Sequence, residues 1–199
     1  RTMQIAQKLY QGIEIEGETI GLITYMRTDG TNLSKDAVSS FRSYIQNEIG
    51  KEYLPKDALN YSGKKAKNAQ EAHEAIRPTD VDRTPQNIKK YLSTDQNKLY
   101  DLIWSRALSS QMESAKFDRN TITITSDNND TICKTSGSVL KFDGFLKIYN
   151  NQSKDDDENI LPTVTKGPIN IESLLDEQHY TQPPPRYSEA SLVKKLEEL

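Results

Sequence analysis

Leu22-Ile23-Thr24-Tyr25-Met26-Arg27-Thr28-Asp29-Gly30-Thr31-Asn32-Leu33-Ser34 is the stretch around which the rest of the chain is arranged. It begins apolar, turns polar at Tyr25, and meets a turn signal at Asp29-Gly30 before Ser34 opens a helix. Read as a short strand, it projects alternate side chains to one side, so Tyr25 and Arg27 face the same way. A phenol and a guanidinium on one side can act on one phosphate. Spacing alone favours the plainer reading, a packed aromatic beside a surface charge.

Toward the N-terminus, Arg1 to Gln11 reads as a helix with Ile5, Ala6 and Leu9 at helical spacing, stopped by Gly12. Residues 13–21 (IEIEGETIG) are acidic and alternate apolar with polar, the pattern of a small surface hairpin. Toward the C-terminus, Ser34 to Ile49 reads as an amphipathic helix. Ser34 is its N-cap, Asp36 sits in the first turn, and Val38, Phe41 and Ile45 form the stripe.

Residues 51–69 read as a loop, basic at Lys64, Lys65 and Lys67, with a solvated segment preferred over a phosphate patch. Gln70 to Ile76 reads as a short helix closed by Arg77-Pro78, because proline disfavours a helical residue before it. His73 lies among Glu71, Glu74 and Arg77. HEAIR lacks the second histidine of an HExxH zinc motif, so a hydrogen-bonded structural histidine is the default, with phosphate contact or proton handling as the alternative.

Ser93 to about Met112 is expected to be the longest helix, opened by a Ser93/Gln96 capping box and packed through Leu99, Leu102, Ile103, Ala107 and Met112. Trp104 is read as packing and not as stacking on a base. After Lys116 the period changes to two. Thr121 to Thr125, Thr131 to Cys133, Ser138 to Lys141 and Phe145 to Tyr149 read as strands. Residues 150–159 read as an acidic loop, with further short strands at Leu161–Val164 and Ile169–Leu174. Pro183-Pro184-Pro185 reads as a stiff connector, and Ser188 caps a last helix carrying Ala190, Leu192, Val193 and Leu196. The fold class is therefore α+β, with a helical part over 1–115, a β-rich part over 116–181, and the start of another helix over 182–199.

Composition narrows the function classes. The chain has 199 residues, 28% charged against 34% hydrophobic, with no apolar run of the roughly 18 residues that cross a bilayer. Cys133 is the single cysteine, so an internal disulfide or a cysteine-built zinc site is excluded, and a reducing cytoplasm is inferred. Net charge is −3, but 1–116 carries 17 Lys/Arg against 15 Asp/Glu while 117–199 carries 9 against 14, so nucleic-acid contact belongs to the first part. There is no glycine-rich phosphate loop and no paired carboxylates suited to magnesium. The run Asp155-Asp156-Asp157-Glu158 reads as a solvated loop. Arg1 at the start and a helical pattern still running at Leu199 read as a piece of a longer protein.

Several segments, in order, resemble one family. ITYMRTDGTNLS at 23–34 is similar to the active-site tyrosine motif of bacterial DNA topoisomerase I, a type IA topoisomerase, and AQEAHEAIRPTD at 69–80 resembles its second catalytic-region motif. Weaker echoes are KLYDLIW at 98–104, FDG at 142–144 and QPPPRYSEASLVKKLE at 182–197. IEIEGETIG at 13–21 departs from the family's tighter helix-to-strand connection.

The resemblance implies that Tyr25 is the nucleophile, attacking a single-stranded DNA phosphodiester to leave a 5′-phosphotyrosine and a free 3′-hydroxyl. Keeping the phosphodiester's energy in a covalent bond means that resealing needs no ATP. It implies that Arg27 holds the phosphate and that His73 has a phosphate or proton-network role. For Arg77 it implies a supporting role, on DNA or in the structure. It also implies Mg2+ held by an upstream toprim domain and not by this chain. The remaining expectations are a monomer in the cytoplasm, associated with the nucleoid, that relaxes negatively supercoiled DNA only as part of the full enzyme. Residues 1–115 would be a moving helical domain and 116–181 part of a β-rich arm. The alternatives are a noncatalytic single-strand-binding module of the same fold, or a different type IA member.

Overall fold

The computed structural model describes residues 1–28, 30–61, 73–128, 130–149, 165–173 and 175–197. The basic run at Lys64, Lys65 and Lys67, the first half of the expected 70–76 helix, the acidic run at 155–158 and the strand expected at 161–164 lie outside them. The chain divides into two compact units, Arg1–Pro162 and Thr163–Leu199.

The first unit is mixed helix and strand around one apolar core. Helix α1 (Thr2–Gln11) buries Ala6 and Leu9, and the chain leaves it at Gly12 into a two-stranded hairpin, β1 (Ile13–Ile15) against β2 (Glu18–Ile20). The opening stretch then passes under α1, where the Leu22 N–H donates to the Leu9 carbonyl (2.8 Å) and Leu22 and Ile23 are fully buried. It does not become a strand. Its regular pairing is a single antiparallel bridge, Ile23 with Pro78, because proline offers no N–H to extend a ladder.

Helix α2 (Lys35–Tyr44) starts where Ser34 Oγ accepts from the Ala37 N–H (3.2 Å), and its last turn widens into a π-helical segment at Ile45–Ile49. Its core face is Ala37, Phe41 and Ile45, with Val38 only half-buried. A 3-10 turn at Lys51–Tyr53 follows. Helix α3 (Pro85–Ile88), with proline in its first turn, leads through a 3-10 turn to α4 (Thr94–Ser109), which opens with the full Ser93/Gln96 capping box.

The stripe of α4 is rotated from the expected one. Tyr100, Trp104, Ala107 and Leu108 are buried, while Leu102 is half-exposed at the surface. The aromatics win the core because each also finds a carbonyl. Tyr100 Oη donates to Arg83 (2.7 Å) and Trp104 Nε1 to Val81 (2.9 Å), with Tyr44 edge-on to the indole. Burial accordingly pushes the Tyr100 phenol up, with Asp80 adding to the rise.

Strands β3 (Lys116–Thr125) and β4 (Ile132–Phe142) form a long antiparallel ribbon, Thr125 opposite Ile132 at the turn end and Phe117 opposite Leu140 near the base. The two strands read at 131–133 and 138–141 are therefore one, and Gly137 lies inside it, opposite Asn120. The strand expected at 145–149 is a 3-10 turn, Gly144–Lys147. There the backbone folds back on the end of α4, with the Phe145 N–H on the Glu113 carbonyl (2.9 Å) and Gly144 at φ 50. That conformation suits glycine and breaks an extended run.

In the second unit the described residues form no strand, contrary to the expectation at 169–174. Helix α5 (Glu189–Glu197) follows Ser188, whose Oγ accepts from the Ser191 N–H (3.3 Å).

Candidate active site

Local hydrogen bonding does not favour a helix at 73–76, because the backbone groups there are taken by the opening stretch. The Ala75 N–H donates to the Asn32 carbonyl (2.8 Å), and the Ala75 carbonyl accepts from Thr24 Oγ1 (2.9 Å). Thr24 Oγ1 also accepts from the Arg77 N–H (3.0 Å), while the Thr24 N–H donates to the Arg77 carbonyl (2.9 Å) and the Thr79 N–H to Leu22 (3.0 Å). Residues 73–79 are thus laced to 22–32 as irregular backbone paired through Ala75, Arg77 and Thr79.

This lacing sets two rings side by side. Tyr25 and His73 have centroids 5.3 Å apart at an interplanar angle of 45°. Tyr10, from the end of α1, also meets Tyr25 edge-on at 5.3 Å and 65°. Tyr25 is 44% exposed despite its two aromatic neighbours. Arg27 is also exposed, and Met26 between them packs on the core. The alternation expected from extended geometry is therefore present locally without a strand.

Glu74 and Arg77 lie just behind. Glu74 Oε1 accepts from the Ser34 N–H (2.8 Å) and from Arg77 Nε (2.7 Å), and Oε2 accepts from Arg77 Nη2 (3.2 Å). Arg77 Nη1 donates to the Pro78 carbonyl (2.9 Å), so its nitrogens are spent inside the protein. Burial raises the Glu74 carboxyl pKa, but the hydrogen bonds from Arg77 and the Ser34 N–H, with the Arg77 charge, outweigh it and hold the group below the usual glutamate value.

Comparison with known proteins follows from this geometry. The sequence profile described as DNA topoisomerase matches residues 1–199. The chain belongs to the DNA topoisomerase family. It is 48% identical over 203 residues to "DNA topoisomerase 1" of Rickettsia felis and 46% identical over 200 residues to that of Helicobacter pylori. Each match covers 100% of this chain and 26% of the relative, so the chain spans about a quarter of their length. The solved full-length topoisomerase I from Thermotoga maritima superposes on 98% of this chain with a TM-score of 0.72 and 33% identity, the match taking in 30% of that protein.

Within this DNA topoisomerase family member, the structure brings Tyr25 and His73 together, keeps Arg27 on the same exposed stretch, and turns Arg77 inward onto Glu74. Among the described residues, no group of three or more His, Cys, Asp or Glu side chains is placed to hold a metal ion. No described helix is long and apolar enough to cross a membrane. Sequence reading passed over Tyr10, Thr24 and Glu74 as parts of the site. Nothing in the spacing of Tyr10 marks it, whereas Thr24 and Glu74 stand inside the two motifs and could have been suspected from that.

Proposed function

We propose that this chain is the tyrosine-bearing part of a type IA DNA topoisomerase that relaxes negative supercoils, and that Tyr25 is its nucleophile. The observation that carries the reading is the exposed Tyr25 ring set 5.3 Å from His73. The Tyr25 phenol oxygen attacks the phosphorus of a single-stranded phosphodiester, a P–O bond forms to tyrosine, and the bond to the 3′ oxygen breaks. The phenol gives up its proton and the departing 3′ oxygen takes one, so the step is neutral overall. Reversal by the 3′-hydroxyl reseals the strand without ATP, because the phosphodiester's energy waits in the phosphotyrosine.

A free phenol has a pKa of about 10, so the attack needs positive surroundings or a proton acceptor at the moment of reaction. Arg27 supplies the guanidinium that binds the phosphate and the charge growing on it. His73 works on the same phosphate or in the proton path, being held beside the attacking ring. Arg77 supports the pair through Glu74 and not through DNA. Magnesium belongs to the toprim domain of the longer enzyme.

The decisive test is Tyr25→Phe in the full-length protein, incubated with a labelled single-stranded oligonucleotide and trapped with detergent. Covalent protein–DNA adduct should be lost while gel-shift binding persists. Adduct formed by the Phe variant would refute the assignment. Wild-type protein that binds single strands and never forms adduct would make this a noncatalytic binding module.

A further inference from the structure

His73 has no rigid element of its own. It stands in irregular backbone that its neighbours tie to the opening stretch. Glu74, the next residue, has both carboxylate oxygens engaged and draws from two separate places: the Ser34 N–H at the start of α2 and the Arg77 side chain from the far end of the same segment. The side chains of this ion pair are only 31% and 16% exposed, so it is shielded from competing water and salt. The His73 carbonyl lies against Gly30, so close that a Cβ on residue 30 would fall 1.5 Å from the oxygen. The His73 carbonyl is therefore packed on Gly30, while the carboxylate of the next residue ties the segment to Ser34 and Arg77.

We propose that Glu74 is a positioning residue that sets His73 against Tyr25, an inference that rests on the reading of those two as the phosphate-handling pair. Glu74 ties the His73 segment to α2, whose preceding loop carries Arg27 and Gly30, and so fixes the distance between the two motifs. Arg77 completes the device by neutralising the carboxylate from the other side of the loop. The charged form is the one the site holds, since all three donors point at the two oxygens.

The test is a double-mutant cycle in the full-length protein, using Glu74→Ala, His73→Ala and the pair. It measures the rate of covalent adduct formation at saturating single-stranded oligonucleotide, together with oligonucleotide affinity and the melting temperature. Misplacing a group by about 1 Å costs up to about a hundredfold, so Glu74→Ala should slow adduct formation by about tenfold or more with little change in affinity. In the His73→Ala background the same substitution should cost less than about twofold, because a residue acting only through His73 has nothing left to place.

Glu74→Gln keeps an acceptor for the Ser34 N–H and should recover part of the rate. It also replaces Glu74→Ala in the cycle if the alanine variant does not fold. Equal losses with and without His73, or an unchanged rate, would overturn the positioning role. A wild-type rate from His73→Ala alone would instead overturn the pairing of His73 with Tyr25, so the two failures are told apart.

Discussion

Gly30 lacks a side chain at a point where the chain has no room for one. The obstacle is the His73 carbonyl oxygen, and because it is backbone it cannot swing aside as a flexible side chain would. Gly30→Ala must push the 73–77 segment away from the opening stretch, straining the Ala75-to-Asn32 and Thr24 hydrogen bonds that hold it. The expected loss is about 1–3 kcal/mol in a urea titration, the range for a side chain forced into filled space. Adduct formation should slow as well, since His73 moves with its own carbonyl. Gly167 is the matched control. A Cβ there meets nothing within 4 Å, so Gly167→Ala should stay within about 0.5 kcal/mol of the parent. Equal stability of the Gly30 and Gly167 variants would show that the loop yields freely and that the two motifs are not rigidly joined.

Elements whose ends are sealed by nearby residues were the ones readable in advance. The Ser93/Gln96 box closes within four residues, and Ser34 caps its own helix, so both starts are local chemistry. Ser93→Ala should cost about 1 kcal/mol in thermal or urea unfolding. It should leave the rate of adduct formation unchanged, because α4 supplies no group to the Tyr25 pair. A change in that rate would mean that α4 does more than support the core.

Segments 73–76 and 145–149 were misread for the opposite reason. Thr24 and Asn32 take the backbone of 73–76 and Glu113 takes the Phe145 N–H at the start of a local 3-10 turn, and these partners, far away in sequence, outweigh the local preference. The rotated stripe of α4 has a similar cause, since the carbonyls of Val81 and Arg83 that draw in Trp104 and Tyr100 are invisible to periodicity. The candidate site divides the same way. Tyr25, Arg27 and His73 were found through whole motifs that resemble a family, whereas the grip of Glu74 on Ser34 and Arg77 exists only once the two motifs are folded together.

At the scale of the molecule, strand passage asks for more than a nucleophile. On the proposed reading, once Tyr25 takes the 5′ phosphate the freed 3′-hydroxyl end must be held elsewhere and then parted from Tyr25, so two bodies must each grip one end of the break. The described residues of 1–162 share one core, and the ribbon of β3 and β4 is anchored to it through Phe142, Phe145 and Ile148. A unit built this way carries Tyr25 as one body. The resemblance assigns the magnesium ligands to an upstream toprim domain, and the second grip is proposed to lie there too, since the chain covers only 26% of its Rickettsia felis relative. The 199-residue chain, first shown by circular dichroism to be folded, should therefore leave negatively supercoiled plasmid unchanged in the presence of magnesium, while the full-length protein produces a ladder of relaxed topoisomers on an agarose gel. A ladder from the short chain would mean that both grips lie within it, and that the division of labour between Tyr25 and an upstream domain is wrong.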